Sequence, residues 1–178
     1  MGLLGEPSLP EIRVIRAIRG DTQRQAATLQ CSDESQIGMS AEENKALVRR
    51  FYAEIDKGNI DILDELVAEG YVDHNPPPFP GLAKGREGLK QSFRMFWEAT
   101  PGYHHIEDQI AEGDKVVTRL TSYGKHQGDL PGAPATGNEM KMTSITIHRI
   151  ANGKLVEKWA EKDMIALLTQ LGVMKPLH

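Results

Sequence analysis

Two neighbouring residues near the middle of the chain have side chains suited to acid–base chemistry. Asp73 and His74 directly precede Asn75 and three consecutive prolines. A carboxylate can orient an adjacent imidazole and move its pKa toward neutrality, which makes His74 a candidate general base with Asp73 as its partner. The prolines forbid helix and hold the following loop extended, so the same pair could instead brace that loop.

The C-terminal region predicts a long β-hairpin. Residues 140–150 and 155–163 are rich in β-branched or alternating residues and flank Asn152-Gly153. A two-residue type I′ loop would pair Lys154 with the residue directly before Asn152, whereas a three-residue turn with Gly153 as a G1 bulge would pair it with Ile150. We prefer the bulge, because it gives glycine the one position that needs a positive φ.

This register predicts one polar and one apolar face. The polar face contains Ser144, Thr146, His148, Val156, Lys158 and Ala160, and the apolar face contains Ile145, Ile147, Leu155 and Trp159. Buried hydroxyls and charges need partners, so the polar face predicts a solvated pocket in which Ser144, Thr146 and His148 contact a substrate. Lys158 could lose its proton there and act as a base or imine former, could bind a carboxylate, or could reach solvent.

The preceding elements are helical and then strand-rich. Ser40 and Glu43 form a capping-box pattern before an apolar helical face that ends near Ile55. A shorter helix is predicted at 60–68 and a third at 86–99, followed by strands at 104–111 and 115–123, with a short last helix starting at Asp163. Helices before antiparallel strands indicate an α+β fold with the helices on one face of the sheet.

Composition limits the class of protein. The 178 residues include one cysteine and carry a net charge of −4, without the basic excess of a nucleic-acid binder. No apolar run is long enough to span a membrane, and we expect a cytoplasmic protein. Residues 1–38 differ in composition from residues 39–178, and we expect a mobile N-terminal extension before one domain. An integral element, an amphipathic tag or a start at Met39 are alternatives for this segment.

Several motifs together resemble the SnoaL-like polyketide (ester) cyclases. They are Tyr71-Val-Asp-His-Asn75, Gly124-Lys-His-Gln-Gly128, Pro131-Gly-Ala-Pro-Ala-Thr-Gly137, Gly153-Lys-Leu-Val-Glu-Lys-Trp159 and Leu167-Leu-Thr-Gln-Leu-Gly172. The resemblance implies an NTF2-like α+β cone, in which a curved sheet is covered by about three N-terminal helices and a short C-terminal helix. It also implies a homodimer and a cofactor-free aldol closure without metal, acting on a small hydrophobic molecule.

The resemblance also directs attention to further site positions. The family's working carboxylate and the histidine before it correspond here to Ala160 and Lys158. His126 lies in the family-like loop, where it could face the site or stabilise the loop. Trp97 could belong to the core, to a subunit interface or to the wall of an apolar pocket. Two functions follow: a cyclase, isomerase or hydrolase that uses His74, Asp73 and Lys158, or a non-catalytic ligand-binding or dimerisation module.

Overall fold

The computed structural model describes residues 39–175, so the predicted N-terminal extension lies outside the described residues. Helix α1 spans Ala41–Ile55 and begins with the predicted capping box: Glu43 donates its backbone N–H to Ser40 Oγ at 3.3 Å, and Ser40 donates its own to Glu43 Oε2 at 2.7 Å. These bonds satisfy two of the donors that every helix start leaves free. The first helix of the described residues therefore starts at a capped position, as predicted.

The second predicted helix is present and ends two residues earlier than predicted. A 3-10 turn at Ile60–Ile62 leads into the single-turn helix α2, Leu63–Leu66, and strand β1 then occupies Val67–Asp73. The segment predicted as helix at 60–68 is helical as far as Leu66, and the chain is extended from Val67 onward. Parallel pairing of β1 with the last strand overrides the local helical pattern, and it carries Asp73 into the sheet.

The remaining elements follow the predicted order. Helix α3 spans Gly85–Ala99, strands β2 and β3 span Gly102–Glu112 and Lys115–Lys125, strands β4 and β5 span Glu139–Ala151 and Lys154–Lys162, and helix α4 spans Met164–Gln170. The sheet order is β1-β5-β4-β3-β2, with β1 parallel to β5 and every other pair antiparallel. This is the expected α+β architecture. Among the described residues, no helix combines the length and apolar composition needed to cross a bilayer.

The hydrophobic core lies between the helices and one face of the sheet, here called the inner face. Its buried members include Val48, Phe51 and Ile55 of α1, Leu63 and Leu66 of α2, Val116 and Leu120 of β3, and Leu155 of β5. Burying side chains of this size contributes about 1.5–3 kcal/mol each. The opposite face of the sheet, the outer face, exposes half of Ile145 and more of Ile110.

The terminal hairpin has the turn that we did not prefer. Asn152 has φ 50° and Gly153 has φ 71°, so both central residues are left-handed, as in a type I′ turn, and Ala151 pairs with Lys154. The irregularity lies further along, where Ile150 pairs with Leu155 and Arg149 pairs with Glu157. The sequence interpretation had placed the extra residue inside the turn.

This bulge changes the predicted faces at two positions. Val156 is the unpaired residue of the bulge, and Leu155 is fully buried in the core rather than on the apolar outer face. Beyond the bulge the alternation is restored, because Thr146 pairs with Ala160 and His148 pairs with Lys158. The predicted grouping of Ser144, Thr146, His148, Lys158 and Ala160 on one face is therefore confirmed, with each pair shifted by two residues.

Candidate functional site

An ion pair on the inner face joins the edge strand β1 to its neighbour β5. Asp73 pairs with Lys158 across the parallel β1–β5 ladder, and Lys158 Nζ donates to Asp73 Oδ2 at 2.7 Å. Each side chain is only 14% exposed, so the pair is largely withdrawn from water. Asp73 Oδ1 also accepts the backbone N–H of Asn75 at 3.0 Å, which fixes the orientation of the carboxylate.

Asn75 links this carboxylate to the position of Ala160. Its side-chain oxygen accepts the Ala160 backbone N–H at 2.9 Å, and Ala160 itself is buried. The loop that begins at Asn75 is thus attached to β5 as a continuation of the β1 ladder. Although Ala160 has no acid–base group, the neighbouring strand brings the carboxylate of Asp73 to the same part of the inner face.

A second lysine, which the sequence interpretation did not single out, follows on the same face. Lys162 pairs with the buried Ser144 and is half-buried. Desolvation lowers the pKa of Lys162, the ammonium of Lys158 lowers it further, and the carboxylate of Asp73 opposes this shift. Strand alternation is the sequence feature that could have identified Lys162, because it places Lys158, Ala160 and Lys162 on the same face of β5.

The hairpin end of the inner face is close-packed, contrary to the predicted solvated pocket. His148 is fully buried beneath the rings of Phe51 and Tyr52, whose centroids lie 5.7 and 5.9 Å from its own. Burial, with a smaller contribution from Lys158, lowers the pKa of His148 to about 3, so the imidazole is neutral at physiological pH. The predicted substrate-binding residue His148 is therefore covered by helix α1.

Thr146 is covered in the same way. Its hydroxyl shares a hydrogen bond with the hydroxyl of Tyr52 at 3.1 Å, and burial raises the pKa of Tyr52 well above its usual range. Ser144, nearer to Lys162, is also buried. Thr146 thus has a hydrogen-bond partner in α1, whereas His148 only packs against α1 and Ser144 lies beside Lys162 of β5.

A carboxylate–imidazole pair joins the end of α1 to β2. The sequence did not indicate it. Asp56 Oδ1 is 2.5 Å from His104 Nδ1, and Asp56 Oδ2 accepts the backbone N–H of His104 at 2.9 Å. The Tyr52 ring lies 5.0 Å from the His104 ring. His105, the next residue, is exposed, as expected from strand alternation. The two partners are 48 residues apart, and no local pattern connects them.

His74 does not join Asp73 and Lys158. It lies on the outer face, where its ring stacks on that of Trp159 at 4.3 Å and 4°, and its Nε2 is 3.0 Å from Glu157 Oε2. Arg149 also donates to this carboxylate, and these two contacts, the larger from Arg149, lower the pKa of Glu157. Neighbouring strand residues point to opposite faces, which separates His74 from Asp73 even though they are adjacent in sequence.

His126 has contacts that stabilise its loop. It is fully buried, its Nδ1 is 3.1 Å from the Thr136 hydroxyl, and its backbone N–H donates to Asn138 O at 2.8 Å. These bonds close the segment between β3 and β4 onto itself. Of the two interpretations from the sequence, the contacts match the stabilising one.

Trp97 lies away from the inner-face ion pair. It lines a cleft of about 270 Å³ together with residues that include Ile60 and Arg94, between the end of α1 and α3. A Cβ on Gly58 would come within 2.9 Å of the indole, so the ring packs directly on the Gly58 backbone. Within residues 39–175, no three His, Cys, Asp or Glu side chains converge as a metal site.

Comparison with known proteins agrees with this architecture. The profile of the SnoaL-like polyketide cyclase family matches residues 46–171. The aklanonic acid methyl ester cyclase DauD of Streptomyces sp. (strain C5) is 31% identical over 133 residues, which cover 71% of this chain and 80% of that protein. The corresponding cyclase DnrD of Streptomyces peucetius is 29% identical over 133 residues, covering 71% and 88%.

Solved structures of similar proteins have the same fold. TsrD from Streptomyces laurentii superposes with a TM-score of 0.69 at 28% identity, covering 77% of this chain and all of that one. A putative polyketide cyclase from Bacillus cereus superposes with a TM-score of 0.63 at 32% identity, covering 74% and 82%. The family profile covers more than half of the sequence, and the fold matches that of these solved structures. The chain belongs to the SnoaL-like polyketide cyclase family.

Proposed function

We propose that this protein is a cofactor-free, cyclase-type enzyme that uses acid–base chemistry on a small hydrophobic carbonyl or ester compound. The observation that carries the proposal is the buried Asp73–Lys158 pair beside Ala160. It supplies a carboxylate at the part of the inner face where the resemblance leads one to expect such a group. The alternative of a non-catalytic module was motivated by Ala160 alone and is not favoured.

The proposed reaction is an intramolecular aldol closure. The Asp73 carboxylate removes a proton from the carbon beside a carbonyl, and the resulting enolate carbon forms a C–C bond to a second carbonyl carbon. The oxygen of that second carbonyl becomes an alkoxide and takes up one proton, so the product is an isomer of the substrate. The Lys158 ammonium and the Ser144 hydroxyl can donate hydrogen bonds to the oxygens on which negative charge develops.

The withdrawal of the pair from water increases the effect of each group. Charges interact more strongly where the effective dielectric is low, and a positioned base typically contributes about 10²–10⁴-fold to a rate. Two relatives are named for cyclising aklanonic acid methyl ester, and we propose a polyketide ester of this kind as the substrate class here.

The test is turnover of aklanonic acid methyl ester, followed as conversion to a product of unchanged mass and different chromatographic retention. We expect Asp73→Asn to lower kcat by about 100-fold or more, because the amide keeps the shape but cannot accept the proton. Glu157→Gln is the matched control, since this carboxylate lies on the outer face of β5. Equal losses in both variants, or undiminished turnover in Asp73→Asn, would disprove the assignment of Asp73.

We also propose a homodimer formed through the outer face. Ile145 and Ile110 are 50% and 64% exposed there, and the half-buried Ile147 and Trp159 continue the apolar surface. Ile145→Lys should shift the mass measured by light scattering toward a monomer, because it places a charge in the middle of this surface. Ala53→Lys, at an exposed position of helix α1, is the control and should leave the mass unchanged. A wild-type protein that is monomeric at micromolar concentration contradicts the proposal.

A further inference from the structure

We propose that Lys162 is a nucleophilic amine that condenses with a ketone carbonyl of the substrate to form an imine. The identity of the natural carbonyl compound rests on the proposed function, whereas the reactivity of the amine can be tested with a simple diketone. The assignment is based on the face that Lys162 occupies, on the partners of its neighbours and on the charges around it.

The position of Lys162 places its stem on the inner face. Its strand partner is Ser144, which is buried, and Lys162 follows Lys158 and the buried Ala160 in alternate positions of β5. The side chain is half-buried, so the amine is partly desolvated and still open to a small molecule.

The two lysines differ in their partners. Lys158 Nζ is held by Asp73 at 2.7 Å. Within residues 39–175, no hydrogen bond or ion pair engages the ammonium of Lys162, although α4 begins only two residues further on. The Asp73 carboxylate thus lies near the amines of Lys158 and Lys162, and it is hydrogen-bonded to that of Lys158.

This arrangement favours the neutral form of Lys162. Desolvation and the neighbouring Lys158 ammonium both lower its pKa, and Asp73 offsets only part of this effect because it is paired with Lys158. A neutral amine has the lone pair that attacks a carbonyl carbon, and a nearby cation is an established way of obtaining one in a protein. The charge of Lys158 therefore increases the reactivity of Lys162.

The chemical step balances without a cofactor. The Lys162 nitrogen forms a bond to the ketone carbon. The ketone oxygen takes one proton from this nitrogen and a second from solvent and leaves as water, and the nitrogen retains one proton as an iminium ion. The iminium withdraws electrons from the adjacent C–H bond, whose proton Asp73 can accept to give an enamine. When this carbon attacks the second carbonyl, the new alkoxide takes up the proton held by Asp73 and the iminium forms again. Addition of water to the iminium carbon then releases the product ketone, returns one proton to solvent and restores the neutral amine.

The experiment uses 2,4-pentanedione with the full chain. A neutral lysine forms a stable, ultraviolet-absorbing enaminone with this diketone, and the protein gains the mass of the diketone less one water. We expect one adduct near neutral pH, mapped to Lys162 by peptide mass spectrometry, and its loss in Lys162→Met and Lys162→Arg. Lys115→Met, which removes an exposed strand lysine, should keep the adduct.

The Lys158→Met variant tests the role of charge. Removing the Lys158 ammonium removes the repulsion and frees Asp73, so the pKa of Lys162 should rise and adduct formation near neutral pH should slow by about tenfold. An adduct that persists in Lys162→Met, labelling spread evenly over exposed lysines, or diketone binding without loss of water would each overturn the proposal. Thermal unfolding of each variant verifies that it is folded.

Asp73→Asn separates this proposal from the proposed function. Without the carboxylate the pKa of Lys162 falls further, so the adduct should form at least as fast as in the wild type while ring closure is lost. Ring closure without any diketone adduct would refute the imine and leave the acid–base proposal standing. An adduct without turnover of any polyketide ester would support the imine and refute the acid–base proposal.

Discussion

Acidification should destabilise this fold through the buried imidazole of His148. The ring is fully buried, and neither of its nitrogens has a hydrogen-bond partner among the described residues. Burial lowers its pKa to about 3 from an ordinary 6.5. In the unfolded chain the same ring takes up a proton near pH 6.5. The stability associated with the neutral ring is therefore fully present above pH 6.5 and is lost as the pH falls toward 3.

The magnitude follows from the two pKa values. Each pH unit between them corresponds to about 1.4 kcal/mol, so the whole interval from 6.5 to about 3 amounts to about 5 kcal/mol of unfolding free energy. About 2 to 3 kcal/mol of this should be lost between pH 6.5 and pH 4.5. Domains of this size are stabilised by about 5–15 kcal/mol, so the effect is large enough to measure.

The assay is urea denaturation of the wild type and of His148→Leu at several pH values. Leucine is apolar, leaves no unpartnered nitrogen and fits beside Phe51 and Tyr52, so at pH 7.5 the variant should be at least as stable as the wild type. The difference in unfolding free energy between the two proteins should grow by about 2 to 3 kcal/mol in favour of leucine on acidification to pH 4.5.

The control is His105→Gln, which removes an exposed imidazole. Its unfolding free energy should follow the wild-type pH dependence. If His148→Leu also follows the wild-type curve, the imidazole is protonated in the folded protein or hydrated, and the reasoning about its burial fails.

Further predictions concern the site, the helix start and the hairpin turn. Ala160→Asp in the Asp73→Asn background should restore about tenfold of the lost turnover, because it returns a carboxylate to the inner face; no recovery would argue against a shared role. Ser40→Ala should lower the unfolding free energy by about 1 kcal/mol in urea titrations, since Glu43 loses its cap, and an unchanged midpoint would contradict the capping box. Gly153→Val should cost about 1–2 kcal/mol by the same assay, because φ is 71°; a neutral effect would mean that the turn is not type I′.

The features that local sequence determines were predicted well. The Ser40 cap, helix α3 and the alternation of β4 depend on residues a few positions apart, and the sequence displays those residues. The turn at Asn152 was predicted incorrectly because asparagine itself takes a positive φ, as it does more readily than other side chains. The strand at Val67–Asp73 was missed because it pairs with β5, which is distant in sequence.

The candidate site shows the same division. Ser144, Thr146 and Lys158 were grouped correctly because strand alternation fixes a face. The ion pair between Asp73 and Lys158 depends on the parallel pairing of two residues that are 85 positions apart. No local sequence pattern indicates this pairing. His74 was assigned to the wrong neighbour for the same reason, since its stacking on Trp159 also depends on that pairing.

Hydrogen exchange at carbon tests the central claim most directly. A truncated substrate can keep the acidic C–H but lack the second carbonyl, which the enolate carbon would attack. It cannot close a ring, so in D2O it reports proton removal alone. We predict that the wild type and Glu157→Gln catalyse deuterium incorporation beside the carbonyl and that Asp73→Asn does so about 100-fold more slowly. Incorporation at the buffer rate in the wild type, or at the wild-type rate in Asp73→Asn, would contradict a proton-removing carboxylate on the inner face.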